Sequence, residues 1–221
     1  MFFPVKKIFW GLVAVVVVLM AIYTFNTLSI NFLPEAFPEA YMNFFHIDRE
    51  ANLPAWFTSA LLLSISLSAV LILCLQHELP TSQPASRTFW TVFMGMFLFL
   101  SLDESATVHE LMGRWLVIPW VYLYIPFTGL FFGYCVYATR LLKLVKPQVA
   151  HLIIIGLVIS AVGAMFLEFI GFQFTLVYAL RQVRFVLEES GETLGVIFIL
   201  RGCLMHVNQL MDQLTRRNNT A

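Results

Sequence analysis

Six apolar runs of about twenty residues dominate the chain, and a run of that kind has few folded states open to it. About 20 helical residues, each rising 1.5 Å, cross the roughly 30 Å hydrocarbon core of a bilayer. Inside lipid the backbone must satisfy its own hydrogen bonds, which a helix does within one segment. The runs lie near 8–28, 55–76, 88–108, 117–139, 150–172 and 184–206. They predict an all-α, polytopic membrane bundle of six transmembrane helices in a single domain over residues 1–221. Charged residues make up 12% of the chain, about half the share usual in soluble domains. The net charge of zero leaves no basic footprint for nucleic acid. Membrane lipid is the expected surrounding partner, with a homo-oligomer or a partner membrane subunit left open.

The opening MFFPVKKIFWGLVAVVVVLMAIYTF has the two lysines and apolar stretch of a signal peptide. Its run is long enough to span, and no small-x-small cleavage site comes after it, so it reads as an uncleaved first span. Lys6, Lys7, Arg87, Arg140, Lys143, Lys146, Arg216 and Arg217 gather on one side of this topology; Arg49, Arg114, Arg181 and Arg184 gather on the other. The positive-inside rule then places both termini in the cytoplasm. All but Glu78 and Asp212 of the 13 acids fall on the opposite, outer side. That asymmetry needs its own cause, because the rule takes little account of acids.

The stretch SLDESATVHE closes the third run and places Asp103, Glu104, His109 and Glu110 within eight residues. At helical rise Asp103 sits about 22 Å into a core of roughly 30 Å. The sixth run starts from the outer face, which puts Glu188, Glu189 and Glu192 roughly 6 to 12 Å below it. Glu168 comes late in the fifth run, at a similar level. Three spans therefore deliver acids to one layer. Glu188, Glu189 and Glu192 share a helical face beside the small pair Gly191 and Gly195, which invites a close neighbour. Ala161, Ala164 and Gly171 flank Glu168 in the same way. A single regular helix cannot aim all four groups of SLDESATVHE at one point, so either its end unwinds or some of them serve other partners.

Ionised groups within a bilayer are costly unless paired or hydrated, which makes this layer a candidate site. Its expected members are Asp103, Glu104, His109, Glu168, Glu189 and Glu192, with Glu110 and Glu188 in reserve. His46, Asp48 and Glu50 in the first outer loop are further candidates. Phe37, Tyr41, Phe44 and Phe45 of that loop recur at helical spacing, as in a short interfacial helix that could anchor or cover the layer. Carboxylates with one or two imidazoles suit a divalent metal such as Mn, Fe, Mg, Ca or Zn, acting on a lipid or small membrane-soluble substrate. The same acids could serve a proton- or cation-coupled transporter. Paired with the outer arginines, they would instead belong to a non-catalytic subunit or scaffold.

Other signatures are missing. There is no Glu-x-x-His pair of the di-iron type, and no GxSxG, P-loop, GxGxxG or HExxH. Cys74, Cys135 and Cys203 are isolated in apolar runs and read as packing residues. His77, His151 and His206 lie at the inner ends of spans, where axial haem ligation is a minor competing use. Trp115, Trp120, Tyr122 and Tyr124 read as an outer aromatic belt. Pro119 and Pro126 are expected to kink the fourth span.

Three stretches, HIDREANLPAWFTSALLL, FLSLDESATVHE and LEESGETLG, resemble a loose group of uncharacterised bacterial six-span inner-membrane proteins. The resemblance runs from the second span onward. It implies a multi-pass location in the cell inner membrane and carries no activity.

Overall fold

The computed structural model describes residues 2–32, 39–46, 52–79 and 83–219. Among these the elements are all helical: α1 (Val5–Phe32), α2 (Glu39–Phe44), α3 (Leu53–His77), α4 (Pro84–Ala106), α5 (Val108–Leu116), α6 (Trp120–Val136), α7 (Pro147–Ala161), α8 (Glu168–Gln173) and α9 (Tyr178–Asn218). Two π turns, Tyr137–Leu141 and Val162–Leu167, continue α6 and join α7 to α8. Six of the resulting helical rods are long and apolar enough to cross a membrane. Their outer surfaces are apolar too: Trp10, Leu67, Leu102 and Leu130 are all exposed, as lipid-facing side chains must be. Asn52 begins α3 by accepting a hydrogen bond from the Ala55 amide, and Pro54 fits its first turn.

The last helix differs most from expectation. The apolar run predicts 184–206, but α9 continues from Tyr178 to Asn218, 41 residues, or about 60 Å. Polar tails prolong it at both ends where nothing breaks the helix. α9 is the spine of the bundle and packs against α7, α3 and α1. The α7–α9 seam is made by small residues. A Cβ added at Gly195 would lie 2.5 Å from the Gly156 carbonyl, and one at Gly163 would lie 2.5 Å from the Glu192 amide. The expected close neighbour of Gly191 and Gly195 is therefore the stretch running from Gly156 to Gly163. Ser160 Oγ donates across the seam to the Glu192 carbonyl (3.1 Å).

At the end with both termini, Asn208 clamps Phe3 by accepting from its amide (2.9 Å) and donating to its carbonyl (3.0 Å). Arg201 lies over the Phe9 ring at 4.6 Å. The centre of the bundle is an aromatic column on α4. Phe97 and Phe93 stand 4.6 Å apart, Phe93 and Trp90 5.3 Å, and Trp90 stacks on His206 of α9 at 5.2 Å. These four are buried. Cys135 and Cys203 are buried as expected, whereas Cys74 is exposed.

Candidate functional site

The SLDESATVHE segment does not stay helical. α4 stops at Ala106, Thr107 takes φ 53°, and α5 starts at Val108. The main chain turns because Asp103 serves two helices. Its carbonyl accepts the Thr107 amide (2.8 Å), closing the last turn of α4. Its carboxylate Oδ1 accepts the His109 amide (2.7 Å), one of the donors that the start of a helix leaves without an internal partner. A carboxylate in that place also meets the positive end of the α5 dipole. The same Oδ1 lies 3.2 Å from His109 Nδ1, so backbone and ring of one residue are held by one buried acid. An imidazole anchored through Nδ1 does its acid–base work through Nε2.

On the other wall a π turn precedes Glu168. A π turn adds one residue to the helix and rotates the next turn by about 100°. Glu168 ends up against Arg184, which donates to its Oε2 at 2.7 Å and to Glu188 Oε2 at 2.6 Å. Arg184 also donates to the Leu167 carbonyl (3.3 Å) and lies over the Phe185 ring. Its guanidinium passes Gly171 closely enough that a Cβ there would meet Cζ at 2.7 Å. Gly171 is small to admit this side chain.

Between these walls lies one cavity of about 240 Å³. Asp103, Glu104, His109, Glu110, Glu168, Glu188, Glu189 and Glu192 all line it. The expected first choices and both reserves are thus brought together, from α4, α5, α8 and α9. Seven of these side chains are carboxylates. Glu110 is the most open of them and lies 3.9 Å from Arg114, one turn on. Below the acids the walls turn apolar, with Leu62, Phe97, Leu100, Phe131, Leu157 and Ile199. The cavity is amphiphilic, negative at the mouth and hydrocarbon at the floor.

His46 goes elsewhere. Its ring packs edge-on against Tyr23 of α1, and its carbonyl accepts from Asn52 Nδ2. Asp48, Glu50, Arg49 and Phe37 lie outside the described residues. The short helix expected in that loop is α2, and the rings of Tyr41 and Phe44 pack on Phe45 just beyond its end. Phe44 borders a side hollow shared with Glu104.

Two of the aromatic residues read as a belt have another place. Trp120 and Tyr124 line the cavity, and the Trp120 ring meets His109 edge-on at 4.7 Å. Trp120, Tyr124, Thr128 and Phe131 recur at helical spacing on one face of α6, a period visible in the sequence. Pro119 caps α6 and Pro126 lies within it. The position of Arg184 also carried a signal, since Arg184 and Glu188 are i,i+4 neighbours.

A metal demands several donors converging within about 2.6 Å. Among the described residues no group of three or more His, Cys, Asp or Glu side chains is arranged to hold an ion. The physical reason is plain on one wall, where a guanidinium already sits between Glu168 and Glu188 and repels any second cation there.

A family model described as Domain of unknown function (DUF8692) matches residues 9–207. The chain belongs to this family. The match covers every one of the six spanning rods in whole or in part, and every residue of the acidic cavity falls within it. The description of DUF8692 names no activity, in agreement with the resemblance of the motifs; the six membrane-compatible rods are an observation on this chain. No curated protein and no solved structure matches this DUF8692 chain.

Proposed function

We propose that this is a multi-pass protein of the cell inner membrane, with both termini cytoplasmic. We further propose that its outward cavity binds a lipid or small membrane-soluble molecule carrying a positive charge. One observation carries the reading: carboxylates from separate helices line a single recess whose floor is hydrocarbon. Recesses with apolar walls and a few convergent polar groups are the usual form of small-molecule sites. The ligand's charged group would sit among Glu104, Glu189 and Glu192, and its apolar part between Phe97 and Phe131. An organic cation fits better than a divalent ion, because it needs a negative field and not a fixed coordination shell. The Asp103–His109 pair supports proton exchange with whatever is bound.

The aromatic column favours a one-sided site over a transport path. Phe97, Phe93 and Trp90 fill the bundle axis with almost no exposed surface.

The test uses thermal unfolding of the purified protein in a neutral detergent, with decyltrimethylammonium and decanol as probes. The ammonium should raise the midpoint and the alcohol should not, and Glu189→Gln/Glu192→Gln should abolish the difference. Equal effects of the two probes, or an undiminished shift in the double variant, would overturn the proposal.

A further inference from the structure

A second cavity, of about 580 Å³, opens at the other end of the bundle. Its chemistry is the inverse of the first. Arg140, Lys143 and Lys146 line it, and among the described residues no carboxylate does. Two helices begin at its wall. Gln83 and Lys146 are the N-cap residues of α4 and α7, and neither makes a side-chain capping bond. The positive ends of two helix dipoles therefore add to three cationic side chains. The segment that carries the cations is held in an unusual path: Arg140 lies within a π turn, and just beyond it Lys143 takes φ 51°. A non-glycine residue there is costly and persists only where its surroundings impose it.

Two further side chains point to a ligand. His206 is 7% exposed and Gln76 5% exposed, and both line this cavity. The His206 ring meets Gln209, which leaves one ring nitrogen and the Oε1 of Gln76 without a hydrogen-bond partner. Gln76 is nevertheless fixed in place, since its Nε2 donates to Ser86 Oγ at 2.8 Å. Buried polar atoms left unsatisfied are costly, and their presence around a polar cavity calls for an occupant.

We propose that this cavity binds a phosphate ester. The phosphate meets Arg140, Lys143, Lys146 and the two helix starts; a hydroxyl group of the ester donates to the orphaned Oε1 of Gln76. A phosphate alone satisfies the cations but brings few donors, so an ester with hydroxyls is the better match. The site is independent of the acidic cavity, and along α9 Glu192 and His206 stand about 21 Å apart.

The experiment uses the full chain in nanodiscs of phosphatidylcholine and measures thermal stability. One arm adds glycerol phosphate or inorganic phosphate, with sodium chloride at equal ionic strength as control. The other arm replaces part of the lipid with phosphatidylglycerol, whose phosphate and hydroxyls are attached to the membrane. Saturable stabilisation by glycerol phosphate assigns a soluble ester; stabilisation only by the lipid assigns a headgroup. Arg140→Gln/Lys143→Gln/Lys146→Gln alters exposed side chains and should weaken whichever effect appears by roughly tenfold. His206→Phe, which keeps the stack on Trp90, should weaken it as well. No saturable effect in either arm, or an effect untouched by the triple substitution, would overturn the proposal.

Discussion

Arg184 is the side chain on which the acidic end depends most. It compensates Glu168 and Glu188 together, with all three largely out of solvent. Removing one partner of a buried ionic group leaves uncompensated charge and costs about 3–5 kcal/mol. Arg184→Met should destabilise the protein on that scale, whereas Arg184→Met/Glu168→Gln/Glu188→Gln should recover much of the loss; chemical denaturation in detergent measures both. Failure of the triple variant to recover would mean that the arginine acts through packing alone. Thr107 supplies a second test. Its positive φ disfavours a β-branched residue by roughly 1–2 kcal/mol, so Thr107→Gly should stabilise the α4–α5 corner, as slower amide exchange at His109 would report. The sequence makes the individual acids legible, because charges in apolar runs stand out. It does not make their aim legible. Whether His109 faces Asp103 depends on one backbone angle, and that angle is set by a carboxylate capping a helix start six residues on.

Among the helices, the α7–α9 seam sets the geometry of the site. Its glycines hold the backbones close enough to bring Glu168 within reach of Arg184. Gly195→Val would push a side chain into the Gly156 carbonyl and Ser160, at a cost of about 1–3 kcal/mol or more. Because the helices must separate, ligand affinity should fall along with stability; a Gly11→Val control, where a Cβ meets nothing within 4 Å, should alter neither. Unfolding curves and binding isotherms on the two variants would check this. The small-residue pattern is readable from sequence, and it correctly points to a tight helix pair. The π turn before Glu168 is not readable, since inserting one residue leaves no mark in an all-apolar run. Its effect, turning an acid toward a neighbouring helix, emerges only when both helices are placed together. The break at Thr107 has the same character, and it makes a separate short helix of what reads as the tail of a span.

The whole molecule is polarised. Carboxylates line the cavity at one end, cations line the cavity at the other, and buried aromatic rings separate them. Segregation of acids was legible from the sequence because topology and charge counts suffice to show it. The two cavities were not, since cavity shape depends on side chains from several distant segments. With this polarity, positive amphiphiles should bind at one end only. The most direct measurement is equilibrium binding of radiolabelled decyltrimethylammonium to the purified protein. One saturable site per chain is expected, weakened at least about tenfold by Glu189→Gln/Glu192→Gln, because two charge-assisted contacts are lost. Arg140→Gln/Lys143→Gln/Lys146→Gln should leave this binding unchanged. Absence of saturable binding, or equal affinity in the acidic-end variant, would contradict the proposed cation site.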